Sequence, residues 1–283
     1  MTILVFGQTG QVARELARHP QVQCLDRAAA DLSSPGACAA AIRAAQPQAV
    51  INAAAYTAVD RAEEEEELAT AINAEAPGEM AQASAALSVP FVSISTDYVF
   101  SGTGQHPWRP EDATAPLGAY GRSKLAGEQA ITAAGGVTAI LRTSWVVSAH
   151  GANFVKTMLR LGRERGRLTI VSDQIGGPTP AHDIATACLD MVAQLGGDPG
   201  KSGTYHYAGT PDVSWAGFAR EIFTQAGISY DVVDIPSADY PTPAQRPLNS
   251  RLDCSSLAAT FGIKRPNWKA GLKDILTELG EIR

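Results

Sequence analysis

The chain has 283 residues, 45% of them hydrophobic and 18% charged, which is enough apolar material for a sizeable core in one large or two small domains. Its formal charge of −6 argues against non-specific nucleic-acid binding, which needs a basic face to neutralise phosphates. Local phosphate binding by backbone amides at a helix start stays open. Cys24, Cys38, Cys188 and Cys254 are widely scattered with no CxxC pair, so neither a zinc site nor a disulfide framework is suggested. The apolar run Thr2 to Phe6 is too short for a signal peptide and Gly7 interrupts it, and no stretch approaches a membrane span. A cytoplasmic protein is expected.

In chain order, Ile3-Leu4-Val5-Phe6 reads as a buried strand ending at Gly7, followed by a helix with Val12, Leu16 and Ala17 on one side. Val22 to Asp26 reads as a second strand, with Pro35 opening a helix through Ile42. Ala49 to Ile51 is a third strand, Ala69 to Leu87 has helical spacing, and Pro90 to Ser95 is a fourth strand. The acidic run Glu63 to Glu67 reads as a solvated helix start favoured by the helix dipole. Leu117 to Ala134 is another helix, and Val137 to Leu141 a fifth strand. Short apolar strands separated by helix-length segments predict a parallel sheet covered on both faces. The second half is less regular, marked by Gly176-Gly177-Pro178, by Gly196 to Gly200 and by the Pro-rich run Pro236 to Pro247. The expectation is an α/β, Rossmann-type doubly wound fold. Residues 1–150 would bind NAD(P), with a return to the sheet at about 174–200, and 151–283 would mostly form a smaller substrate lobe.

Gly7-Gln8-Thr9-Gly10-Gln11-Val12-Ala13 joins the first strand to the first helix. A dinucleotide needs a tight turn at Gly7, close approach of its diphosphate at Gly10, and a small residue, here Ala13, where helix meets strand. The alternative is a simple strand–helix turn. Asp26 ends the second strand, about 20 residues after the glycines, where a carboxylate can bond the adenosine ribose. Arg27 could instead hold a 2′-phosphate, so NADH and NADPH both remain open. Asp31-Leu32 is placed at the adenine, or Asp31 is a turn residue.

Tyr120 and Lys124 stand four residues apart and so share a helix face. An ammonium beside a phenol stabilises the phenolate and lowers a pKa otherwise near 10, which suits proton exchange; the alternative is an ordinary exposed helical pair. Ser95-Thr96-Asp97-Tyr98 follows the fourth strand, where carboxyl ends of strands face the ligand crevice. A hydroxyl there can bond a carbonyl oxygen that gains charge during hydride addition. Thr96 is assigned that role, with Ser95 expected to cap the strand.

With these segments in order, the chain resembles the extended short-chain dehydrogenase/reductases, and within them the dTDP-4-dehydrorhamnose reductases. The resemblance is carried by GQTGQVAREL at 7–16, NAAAYTAVDRAE at 52–63, STDYVFSG at 95–102 and YGRSKLAGE at 120–128. RTSWVV at 142–147, NFVKTMLRL at 153–161, DQIGGPT at 173–179 and YPTPAQRPLNSRLD at 240–253 extend it over nearly the whole chain. It implies reduction of a dTDP-4-keto sugar, with Tyr120 as proton donor and Lys124 on the nicotinamide ribose. Gly10, Gln11 and Val12 would hold the cofactor diphosphate, Asp31 and Leu32 its adenosine end, and Ala53, Ala54 and Ala55 would leave room for it. Thr96 and Asp97 would contact the sugar, Trp145 would line the substrate pocket, and Arg246 and Arg251 would meet the substrate diphosphate.

Some family members are described with magnesium held by glutamates at a dimer contact. Glu15 matches the first of these, but His182 stands at the second, and imidazole is a poor ligand for a hard, oxygen-seeking cation. Metal-supported dimerisation is therefore in question, and monomer and homodimer both remain open. Two other functions share parts of the pattern: a nucleotide-sugar epimerase or dehydratase, and a non-enzymatic regulatory subunit of methionine adenosyltransferase. The complete Thr96, Tyr120 and Lys124 set disfavours the last.

Overall fold

The structure, a computed structural model, describes residues 2–282. Its first half alternates β1 (Ile3–Phe6), α1 (Gln11–Leu16), β2 (Val22–Leu25), α2 (Ala37–Ala45), β3 (Ala49–Asn52), α3 (Ala76–Ala86), β4 (Phe91–Thr96), α4 (Ala119–Ala134) and β5 (Thr138–Thr143). The second half adds α5 (Phe154–Glu164), β6 (Arg167–Val171), α6 (Ala181–Gly197), β7 (Gly203–His206), α7 (Trp215–Gln225), β8 (Asp231–Ile235), α8 (Ser255–Phe261) and α9 (Trp268–Glu278). The main sheet has six strands in the order β7-β5-β4-β3-β1-β2, and each neighbouring pair is parallel.

Both faces of this sheet are covered, which is why β1 and β3 are apolar at nearly every position. On one face, Val12 and Leu16 of α1, Ile184 and Cys188 of α6 and Leu257 of α8 pack on Val5, Ile51 and Leu141. On the other, Ile42 of α2, Met80 of α3 and Ile131 of α4 pack on Leu4, Phe6 and Phe91. The chain winds outward from β1 to β2, then crosses back to place β3 on the far side of β1. That reversal opens a crevice at the carboxyl ends of β1 and β3. The doubly wound α/β fold read from the strand–helix alternation is the fold observed.

A second core lies in the C-terminal half. Leu159 of α5, Phe218 of α7 and Trp268 and Leu272 of α9 pack with Ile170 of β6, and β6 pairs in parallel with β8. Between these lobe elements, α6 and β7 return to the main sheet. Among the described residues, no helix is long and apolar enough to cross a membrane.

Several local expectations change. The helix expected over 69–87 is divided into Glu66–Thr70, a π-helical turn at Ala71–Glu75, and α3. The wide turn sits where α4 crosses: a β-carbon on Gly127 would stand 2.0 Å from the Asn73 carbonyl oxygen. Pro35 does not open α2, because Gly36 intervenes in the left-handed region, at φ 78°. Nor is the acidic run simply solvated. Glu63 accepts the Ala119 amide at 2.9 Å, Glu65 the Tyr56 hydroxyl at 2.5 Å, and Glu66 a forked pair of bonds from Arg122 at 2.7 and 2.8 Å. Glu63 and Glu66 thereby tie the run to the start of α4, and Glu65 ties it to Tyr56. Gly127→Ala should force α4 off the Asn73 backbone and destabilise the fold by about 1–3 kcal/mol. Calorimetric unfolding checks this, and an unchanged melting temperature would count against so tight an approach.

Candidate active site

The loop from β1 to α1 turns at Gly7, whose φ of 109° is open to glycine almost alone, and an added β-carbon would lie 3.3 Å from the Ala53 backbone. Ala13 is fully buried behind it. A cavity of about 640 Å³ begins at this loop, lined by Gly7, Gly10, Gln11, Val12, Ala53, Ala54 and Ala55. Its other end is lined by Thr96, Asp97, Tyr120, Lys124 and Trp145. The segments following β1, β3, β4 and β5 therefore converge on one space. The Gln11 side chain is engaged, accepting from Ser148 Oγ at 2.9 Å and Asn153 Nδ2 at 3.0 Å and donating to the Val146 carbonyl at 3.2 Å. This ties the loop to the start of α5.

An adjoining cavity of about 440 Å³ brings Asp26, Arg27, Asp31 and Leu32 together with Gly7, Ala54 and Ala55. Asp26 accepts the Ala29 amide at 2.8 Å. Asp31 accepts from Ser33 Oγ at 2.7 Å, the Ser33 amide at 2.9 Å and Arg27 Nε at 3.0 Å. Those hydrogen bonds, Ser33's first, hold its carboxyl down at about 2. The Arg27 side chain is mostly exposed at the rim.

Tyr120 and Lys124 share one face of α4, and Lys124 is buried with its ammonium donating to the Ile94 carbonyl at 2.8 Å. Desolvation pulls that ammonium down to about 8, against the opposing attraction of Glu128. The expectation that Lys124 lowers the Tyr120 pKa is not met. Burial pushes the phenol up to about 12, opposed by a hydrogen bond with Thr96 and assisted by the nearby Asp97 carboxylate. Burial penalises the phenolate, and Lys124, its ammonium bonded to the Ile94 carbonyl, is not among the groups that offset it.

The capping expected of Ser95 at the end of β4 falls to Thr96. Thr96, not Ser95, caps the turn, accepting the Tyr98 amide at 3.2 Å and donating to Asp97 Oδ1 at 3.2 Å. Ser95 donates to Glu128 at 2.5 Å. The Asp97 carboxyl is buried and burial raises it to about 6, against hydrogen bonds from Ser250 and Thr96.

Trp145 holds a left-handed backbone, φ 48°, and stacks on Trp215 with ring centroids 3.6 Å apart and planes 14° from parallel. Gly176 lies beneath it, where a β-carbon would come within 2.9 Å of the indole. Trp215 lines a further cavity and is not picked out from the sequence, since a lone aromatic at a helix start carries no pattern. A third cavity, about 460 Å³, shares Tyr98 and Trp145 with the first and is walled by Phe154, Met158, Trp215, Tyr240 and Arg246. The Arg246 guanidinium is forked onto Asp60, at 3.0 and 2.8 Å. Arg251 is not brought to any of these three cavities; it bonds Asn249 Oδ1 at 3.0 Å and approaches Asp212 at 4.0 Å. Glu15 lies elsewhere, buried between Arg18 (3.3 Å), His150 (3.1 Å) and His182 (3.6 Å), with Glu278 also paired to Arg18.

The sequence matches the RmlD substrate binding domain family over residues 1–281. The chain belongs to this family. A relative from Sinorhizobium fredii, a dTDP-4-dehydrorhamnose reductase, is 42% identical over 99% of this chain and 98% of its own. Among solved structures, a dTDP-4-dehydrorhamnose reductase from Clostridium acetobutylicum superposes with a TM-score of 0.92 at 36% identity, covering 99% of this chain and all of that one. Another, from Bacillus anthracis and in complex with NADP, has a TM-score of 0.90 at 34% identity, covering 98% and 100%.

The raised Asp97 carboxyl has a consequence for stability. A carboxyl whose folded pKa exceeds its unfolded value favours the folded state most below the unfolded pKa, and loses that contribution as pH rises through the folded one. Asp97→Asn should therefore flatten the decline in stability between pH 4 and 6 and, at pH 7, make the fold more stable by about 1–3 kcal/mol. Denaturant unfolding across this range tests it; a parallel decline in both proteins would show that Asp97 does not titrate there.

Proposed function

We propose that this chain reduces the 4-keto group of dTDP-4-dehydro-β-L-rhamnose to dTDP-β-L-rhamnose with NADPH or NADH, the last step in making the activated sugar. The reading is carried by one arrangement: Thr96, Tyr120 and Lys124 in a single cavity with the Gly7–Val12 loop and Trp145, on a chain that matches the reductase family from end to end. The cavity suits a dinucleotide, since Gly7 and Gly10 leave backbone where side chains would stand and a side cavity runs on to Asp26 and Asp31. We assign the cofactor to residues 1–150 with α6 and β7, and the nucleotide sugar mostly to 151–283.

Bound NADPH or NADH supplies a hydride to the sugar C4″ carbon. Tyr120, kept protonated at neutral pH by its burial, gives its phenolic proton to the carbonyl oxygen as charge develops there. Thr96 donates a hydrogen bond to the same oxygen. Lys124 holds the nicotinamide ribose with the ammonium protons that the Ile94 carbonyl leaves free. Trp145 and Trp215 form the wall against which the sugar nucleotide lies. Arg246 exchanges Asp60 for the substrate diphosphate, so remote binding energy orients the ketone. Arg251 is turned toward Asn249 and Asp212 and is given no role in the reaction.

The Glu15 site does not suit magnesium. That ion takes oxygen donors in near-octahedral array, whereas Glu15 is flanked by two imidazoles and the Arg18 guanidinium already joins it to Glu278. No step of the reaction is assigned to a metal. An epimerase sharing the fold would show no net oxidation of added NADPH, which separates that reading from ours.

Tyr120→Phe should lower kcat for NADPH oxidation with dTDP-4-dehydro-L-rhamnose by roughly 100-fold or more while cofactor binding is retained. Near-normal turnover would remove Tyr120 from the role of proton donor. Arg27 at the rim supports a preference for NADPH. Arg27→Ala should raise the KM for NADPH by about tenfold with little change for NADH, and equal effects on the two cofactors would show that Arg27 does not meet the 2′-phosphate.

A further inference from the structure

Lys124 has a neighbour that the proposed reaction leaves without a role. Glu128 follows it by four residues on α4, the spacing that sets two helical side chains side by side. The carboxylate is buried and fully engaged, accepting Ser95 Oγ at 2.5 Å, Arg142 Nη2 at 2.6 Å and Arg142 Nε at 2.9 Å. Ser95 and Arg142 are register partners at the ends of β4 and β5, and the Lys124 ammonium bonds the carbonyl of Ile94, one residue before Ser95. One buried carboxylate thus pins a turn of α4 to two adjacent strand ends, one residue along β4 from the carbonyl that holds the ammonium. Arg142 is itself held in place, donating to the Pro110 carbonyl at 3.1 Å and lying over the Phe100 ring at 5.0 Å.

A buried ion pair is a poor device for stability alone. Desolvating both groups offsets most of their attraction, and apolar side chains of the same volume serve as well or better. A tie needed only to hold α4 on the sheet would not require charge. We infer that Glu128, held by Arg142 and Ser95, is a positioning residue for the Tyr120–Lys124 pair: it sets the register of α4 and is the counter-charge that keeps the buried Lys124 ammonium protonated. This rests on the roles given to Tyr120 and Lys124 above.

The surrounding groups leave that task to Glu128. Tyr120, on the same face, and Asp97 and Tyr98 beyond β4 line the cavity with Lys124. From the segments packed on the other faces of α4, Glu63 binds the Ala119 amide and Glu66 binds Arg122. Glu79 of α3 is taken by the Gly36 amide, and Glu75 is exposed. Burial draws the ammonium down toward neutrality, and the attraction of Glu128 is what opposes it.

Glu128→Gln keeps the shape of the side chain and removes its charge. The alkaline limb of kcat/KM for NADPH-dependent turnover should then move about one pH unit lower. The 13Cε resonance of Lys124, assigned by its loss in Lys124→Arg, should titrate lower by the same amount. Glu128→Asp, which keeps the charge but withdraws it by one methylene, should leave that titration near the parent's and lower kcat at unchanged cofactor KM. A merely structural tie would depress the melting temperature in both variants while the limb and the Lys124 titration stay fixed, and that result overturns the inference. Should Glu128→Gln not fold, an undiminished kcat in Glu128→Asp does the same. If the parent protein itself oxidises no NADPH with the sugar, the reductase reading falls, whereas the Lys124 titration still decides the role of Glu128.

Discussion

Helix α4 lies so close to the chain around it that two of its residues have no room for a β-carbon. On Gly121 that atom would stand 2.3 Å from the Tyr98 carbonyl oxygen, and on Gly127 2.0 Å from that of Asn73. Each glycine costs a helix about 1 kcal/mol relative to alanine, so the close approach has to be worth more than the propensity lost. It brings Tyr120 edge-on to Tyr98 with ring centroids 5.4 Å apart, and it lets the Lys124 side chain reach across β4 to Ile94. The π-helical turn at Ala71–Glu75 and the Glu63 and Glu66 contacts are the fittings of the same approach from the other side. Move α4 outward by the width of a methyl group, and the phenol, the ammonium and the Thr96 hydroxyl no longer share one cavity.

That tight docking also explains the chemistry of the groups beneath it. The interface is buried, so its ionisable side chains are paired or pushed toward their neutral forms. Glu128 and Arg142 are paired. His206, buried beside Arg142, is driven down to about 3, by desolvation first and the guanidinium second. A neutral ring there can donate from Nδ1 to the Trp108 carbonyl at 3.0 Å and accept from Arg142 at 3.4 Å through Nε2. Asp97 and Tyr120 are raised for the same reason, both toward the protonated acid. Burial thus keeps Tyr120 a protonated phenol at neutral pH, the form that a proton donor needs.

Much of this was legible from patterns whose cause is local. Strand–helix alternation follows from burial on two faces, so the fold could be read from apolar runs alone, and Gly7 and Ala13 announce a backbone that must turn tightly and pack closely. Tyr120, Lys124 and Thr96 could be found because their spacing and order reflect one helix and one strand end. What escaped depends on partners distant in sequence. Nothing near Trp215 says that it will stack on Trp145, and nothing near Asp60 says that Arg246 will reach it across 186 positions. The division of the helix at Ala71–Glu75 was equally hidden, because it is imposed by Gly127 on another element. That Thr96 rather than Ser95 caps the turn has the same origin: Ser95 is claimed by Glu128, and the turn takes the hydroxyl that remains.

The pairing of Arg246 with Asp60 bears on how a dinucleotide and a nucleotide sugar come to meet. Tyr98 and Trp145 line both large cavities, so in the proposed reaction the sugar ring sits at their junction and its diphosphate extends toward Arg246. A guanidinium left unpaired beside that apolar cavity would carry a desolvation cost before any ligand arrived. Asp60 removes the cost, and its carboxyl is correspondingly held below its ordinary range by the Arg246 hydrogen bonds. The pair is only partly buried, so giving it up for a doubly charged diphosphate exchanges a weak, water-screened contact for a stronger one. Asp60 lies on the segment after β3 and Arg246 on the Pro-rich segment, so in the proposed reaction that exchange would free one side of the cleft from the other as substrate binds.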